Sequence, residues 1–148
     1  MTKLKIFLPI LLFTMNGFSQ EEPKEIVDKF FKDYQEKNIS VALDNLYSSS
    51  KWILRNADAV TNLKSQMEGL NADYVGEFYG YDLMVEKKVT DNFLHLSYMV
   101  KFERQPIRYT FQFYKPKDKW IIYSFKYDGN IANEIEEASK LYYFDLTN

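Results

Sequence analysis

The residues able to do chemistry in this chain are few and mostly of one kind. There are 12 tyrosines, a single histidine (His95) and no cysteine. Tyrosines at 79, 81, 98, 109, 123 and 127 alternate with Phe111, Phe113 and Phe125 along the second half of the sequence. Rings gathered in a concave space give apolar contact, and their hydroxyls need partners that a water-filled or ligand-filled cavity supplies. Tyr79, Tyr81, Tyr98, Tyr109, Phe111 and Tyr123 are therefore the candidate ligand-binding residues. The plainer alternative is a packed core whose hydroxyls reach the rim. One acid, Glu77, shares the parity of Tyr79 and Tyr81. Turned inward, its carboxyl would have a raised pKa and could act as a general acid or base beside a tyrosine hydroxyl. At the sheet's edge it is simply a solvated rim carboxylate, which is the simpler expectation.

Other chemistries lose their usual evidence. A metal site needs several nitrogen, sulfur or carboxylate ligands in convergent geometry, so neither a metal nor a cofactor is expected from one histidine and no thiol. His95 falls on a face with Ser97 and Lys101, opposite the apolar one, and is expected to be exposed. Asp82 and Glu86 are expected to face solvent as well. The sequence contains no Gly-x-Ser-x-Gly elbow, phosphate-cradling glycine loop or dinucleotide fingerprint.

The elements that must position these residues divide the chain in two. Pro23 opens a helical pattern carrying Ile26, Val27, Phe30, Phe31 and Tyr34. Ser40 is placed to cap a second helix with Val41, Leu43, Leu46 and Tyr47. Lys51 to Leu54 reads as a short strand. Asn56 is placed to cap a third helix, with Val60, Leu63, Met67 and Leu70 on one stripe and Asn71 closing it. From Val75 the period becomes two, which predicts four antiparallel strands joined by short turns. Like faces meet when Tyr81, Tyr98, Phe111 and Tyr123 form one row across the sheet. Tyr79, Val100, Tyr109 and Phe125 form the next row, and Glu77, Phe102, Ile107 and Tyr127 the one beyond. Gly76 or Gly80 could introduce a bulge in the first strand. After Asn130 a terminal helix carries Ile131, Ile135, Ala138 and Leu141. The predicted fold is α+β: three N-terminal helices on a curved four-stranded antiparallel meander, then a C-terminal helix.

Lys3 and Lys5, the apolar run Ile6 to Met15, and small residues at Gly17 and Ser19 predict a cleavable export signal over 1–19. Residues 20–148 then form a single domain. The apolar run is about half the length of a membrane span, so no permanent anchor is expected. Without cysteine the chain is not a lipoprotein, and its destination is the periplasm or the medium. The first 19 residues hold two of the 19 Lys and Arg and none of the 21 Asp and Glu, leaving a net charge of −4. With no basic block, nucleic acid is not an expected partner.

Two segments resemble the cone-shaped α+β superfamily of nuclear transport factor two, ketosteroid isomerase and polyketide cyclases. Phe30 to Asn38, followed by Ala42 to Tyr47, is similar to its paired opening helices, and the meander ending in Lys119 to Phe125 is similar to its closing strands. The resemblance implies helices closing one side of a bent sheet, a pocket between them, and frequently a homodimer through the outer sheet face. It carries over no catalytic residue. Phe93, Met99, Tyr114, Trp120 and Ile122 are the outer-face residues such a dimer would use. The leading expectation is non-catalytic binding of a small apolar or amphipathic molecule, or a peptide, in an aromatic cone. The alternatives are a pocket enzyme using Glu77 and a dimerising module without ligand.

Overall fold

Pro23 begins the first helix, α1 (Pro23–Glu36), at the position where its missing N–H costs nothing. Glu22 and Glu25 close a reciprocal capping box over that first turn. Val27, Phe30 and Phe31 bury one face. The computed structural model describes residues 22–141, so the export signal expected over 1–19 lies outside the described residues.

The second helix, α2 (Ile39–Tyr47), is capped by Asn38, whose side chain accepts the Val41 N–H at 2.9 Å. Ser40, the expected cap, lies inside the helix. Lys51–Leu54 is a single helical turn, α3, and not the strand expected there. Four residues are too few for periodicity to separate the two, and the N–H groups of Ile53 and Leu54 both find the Ser50 carbonyl. Asn56 caps α4 (Ala57–Glu68) as its side-chain chemistry predicts. Asn71 does not close that helix. It caps a separate turn, α5 (Ala72–Val75), by accepting from Asp73 and Tyr74.

Four strands follow in meander order: β1 (Phe78–Thr90), β2 (Phe93–Phe102), β3 (Pro106–Tyr114) and β4 (Ile121–Asp128). The helix α6 (Ile131–Leu141) ends the fold. The protein is thus α+β, with helices preceding a four-stranded antiparallel sheet and a helix after it.

Within the sheet the predicted rows are wrong in register. Tyr98 lies opposite Leu83 and Tyr109, and Phe111 lies opposite Leu96 and Phe125. Between β2 and β3 the pairing has slid by two positions, which changes neighbours but keeps each face. The cause is visible at the hairpin. Glu103 N–H bonds the Glu77 carbonyl and Arg104 N–H the Val75 carbonyl, so this stretch is held by the approach to β1 instead of by β3.

Bulges do change faces. Gly80, at φ 113°, sits in the first of three irregularities in β1. Phe78 therefore packs on the core in place of Tyr79, which is 59% exposed. Past the second irregularity Val85, which strict alternation with Tyr81 would place inside, pairs with Ser97, and Glu86 turns to α1, where Lys24 meets it at 2.6 Å. In β4 an irregularity opposite Gln112 and Phe113 leaves Tyr123 without a register partner. Ile122 turns into the core instead, leaving Tyr123 exposed with its ring edge-on to Phe93 at 5.7 Å.

The concave face is filled from α1. Phe31 stacks on Tyr81 at 3.7 Å, and Phe30 meets Phe111 edge-on at 5.2 Å and Phe125 at 5.5 Å. Tyr109 is fully buried beneath them, and among the described residues its hydroxyl has no hydrogen-bond partner of good geometry. Burial pushes that hydroxyl well above the ordinary tyrosine range, with the Tyr34 hydroxyl as its polar neighbour. An unsatisfied buried hydroxyl costs about 1–3 kcal/mol. Tyr109→Phe is therefore expected to be neutral or stabilising by about 1 kcal/mol in urea unfolding, and a clear loss would show that the hydroxyl is satisfied.

Asp33 ties α1 to α2. Lys37 and Asn45 both donate to its carboxylate, the latter at 2.7 Å, and these bonds hold its pKa below the ordinary value. Because the folded pKa is the lower one, this stabilisation is present at neutral pH and is lost as pH falls below about 4. Asp33→Asn is expected to melt earlier than the parent at pH 7, the gap narrowing in acid; a pH-independent gap would sink this assignment.

Candidate functional site

An opening of a size suited to a ligand lies beside the start of β4, outside the predicted cone. Three local features build it. The serine-rich end of α2 is fastened to the sheet where Ser49 Oγ accepts the Ile122 N–H at 3.4 Å. The single turn of α3 then presents Trp52 and Ile53, and α4 brings Ala59, Val60 and Leu63 alongside. The bulge in β4 sends Ile122 inward and Tyr123 outward, so both line the opposite wall with Tyr114 and Ile121.

The result is a cleft of about 560 Å³, within the roughly 300–1,000 Å³ common for small-molecule sites. Its walls are mainly apolar and none of the lining side chains carries a charge. Tyr47, Ser50 and Asn56 supply polar groups, together with the hydroxyls of Tyr114 and Tyr123 and the Trp52 indole N–H. The Tyr47 ring is buried at the base, and that burial raises its hydroxyl to about 12, so it is a neutral donor at any physiological pH. Trp52 and Tyr123, at 60% and 59% exposed, flank the opening. Singly exposed rings are ordinary, but these two adjoin an apolar hollow, and a contiguous apolar surface of that kind marks a binding site.

Of the six residues predicted to bind ligand, only Tyr123 lines this cleft. Tyr98, Tyr109 and Phe111 are core, and burial raises the Tyr98 hydroxyl to about 12. Tyr81 stacks on Phe31 and donates its hydroxyl to Asp28 at 3.1 Å, while Tyr79 points into solvent. Glu77 is exposed in a separate depression between α5 and β1, with Tyr34, Asn71 and Phe78. It does not enter the aromatic interior.

His95 is half-buried on the outer sheet face, its Nδ1 3.4 Å from Gln112 Nε2, in a polar groove with Ser97, Thr110 and Lys126. Arg108, beside them, is committed to Asp128 and Glu134, and it fixes α6 to β3. Ile122 leaves the outer face for the core, while Tyr123 joins Phe93 there and Val85 lines the polar groove. Among the described residues no group of three or more His, Asp or Glu side chains is placed to hold a metal ion. Nor is any described helix long and apolar enough to cross a membrane.

Trp52, Ile53, Val60 and Leu63 escaped the sequence reading. Val60 and Leu63 read there as the buried stripe of a helix, and Trp52 as part of a strand. Neither pattern indicates that the two segments face β4 across a gap. Comparison with protein-family models, curated proteins and solved structures gives no match.

Proposed function

We propose that the chain is an exported, non-catalytic binding domain that takes a small apolar or amphipathic molecule into the cleft between α3–α4 and the start of β4. The observation that carries the proposal is an uncharged apolar hollow of about 560 Å³ flanked by two exposed rings. Its dry walls favour apolar matter, and the few polar groups around Tyr47 and Ser50 orient whatever enters. A catalytic role for Glu77 finds no support in its position, since the residue is exposed and lines neither the cleft nor the aromatic interior. Membership of the cone-shaped superfamily is part of the same proposal, supported by paired opening helices over a bent meander. Likeness of fold alone assigns no chemistry.

The test is titration with a neutral fluorescent naphthylamine probe. One saturable site per chain is expected, with uptake reduced in Trp52→Ala. Absence of saturable uptake, or uptake indifferent to that substitution, overturns the proposal. Native mass spectrometry of the protein from its host checks the export component, with a mature mass beginning at Gln20 expected.

A further inference from the structure

The cleft has a chemical polarity that its lining alone does not reveal. No lining side chain is charged, yet two cations stand against the ring of Trp52, itself a lining residue. Arg55 lies over the Trp52 ring with its guanidinium carbon 4.4 Å from the centroid, and Lys51 Nζ lies 5.2 Å from it. Both distances fall within the reach of cation–π attraction, which keeps the charges beside the opening. Among the described residues neither cation is in an ion pair with a carboxylate. The contrast with the rest of the molecule is informative. The chain from residue 20 onward carries a net negative charge, so general electrostatic attraction for anions is absent and the positive mouth is a local feature.

Resting on the binding role proposed above, we infer that the cleft's ligand is a single-chain anionic amphiphile, such as a long-chain carboxylate. Its apolar tail lies between Val60, Leu63 and Ile121, and its head group meets Lys51 and Arg55 at the Trp52 rim. An apolar hollow alone accepts a neutral chain equally well. The cations make the head group matter, because an anion left at the mouth exchanges part of its hydration for two fixed positive charges.

The experiment uses the purified protein and three monomeric probes of equal chain length: dodecanoate, dodecanol and dodecyltrimethylammonium. Binding is read by calorimetry and from Trp52 emission in a Trp120→Phe background, which removes the second tryptophan of the chain. Dodecanoate is expected to bind about fivefold or more tighter than dodecanol at low ionic strength, an advantage that shrinks as salt is added. The cationic probe should bind most weakly. In the doubly neutralised variant, Lys51→Gln with Arg55→Gln, dodecanoate should fall to the affinity of dodecanol while dodecanol is unchanged. Both positions are exposed, and circular dichroism confirms the fold of the variant. Shortening the chain to decanoate should weaken binding about tenfold through the two lost methylenes.

Equal affinity for dodecanoate and dodecanol overturns the head-group assignment and leaves the binding role standing. Failure of both probes to bind removes the binding role itself. Sedimentation with anionic vesicles, without uptake of monomeric dodecanoate, would make this face a membrane contact and overturn the inference.

Discussion

Phe31→Ala is expected to destabilise the domain by about 3–5 kcal/mol, as large aromatic truncations in packed cores do. The ring is 1% exposed, stacks on Tyr81, and makes edge contacts with Tyr98 at 5.6 Å and Phe111 at 6.0 Å. Removing it leaves a hole walled by rings from α1, β1, β2 and β3, whose paired backbones keep them from collapsing inward. A domain of this size has about 5–15 kcal/mol in total, so the variant stands near unfolding at body temperature. Tyr79→Ala is the control. Sequence alternation puts Tyr79 inside with the same rings, but the Gly80 bulge leaves it exposed, so its truncation should change stability by no more than about 0.5 kcal/mol. Urea unfolding with unchanged slope measures both. Comparable losses at the two positions would remove the bulge, and with it the argument for what fills the concave face.

The same contrast explains what the sequence disclosed. Twofold alternation from Phe93 to Phe113 is legible because both edges of β2 and β3 are hydrogen-bonded to neighbouring strands, and a slip by two positions still puts Tyr98, Tyr109 and Phe111 inside. The edge strands obey a weaker constraint. β1 and β4 have one free side each, so an extra residue is accommodated there by local twist, and such irregularities also discourage edge-to-edge association. Gly80 advertises one of them through its permissive backbone. Nothing in the string Ile121-Ile122-Tyr123 advertises the other, because two isoleucines in succession offer either one to the core. The error at Tyr123 had the larger consequence, since that bulge forms one wall of the cleft. A hollow between elements distant in sequence depends on how far apart their backbones stop. The spacing of Val60 and Leu63 contains no information about that distance.

Ala59→Trp is expected to close the cleft without disturbing the fold. Ala59 lines the hollow from α4 yet is exposed, and its backbone N–H already bonds the Asn56 cap at 3.4 Å. An indole there projects into open space instead of into packed atoms, and the helix loses only a few tenths of a kcal/mol in propensity. Melting should therefore shift by no more than a few degrees, whereas uptake of the neutral naphthylamine probe should weaken about tenfold or more, equivalent to about 1.4 kcal/mol. Thr61→Trp, two residues on and exposed outside the cleft, adds the same ring to the same helix and should leave uptake unchanged. Loss of uptake in both variants would mean that α4 responds to bulk anywhere along it. Retention in both would mean that the probe enters elsewhere, and the polar groove around His95 would be the next place to look. Tyr123→Ala separates these cases further: it removes a wall without filling space, so uptake should fall while the fold, which gains little from a ring left in water, persists.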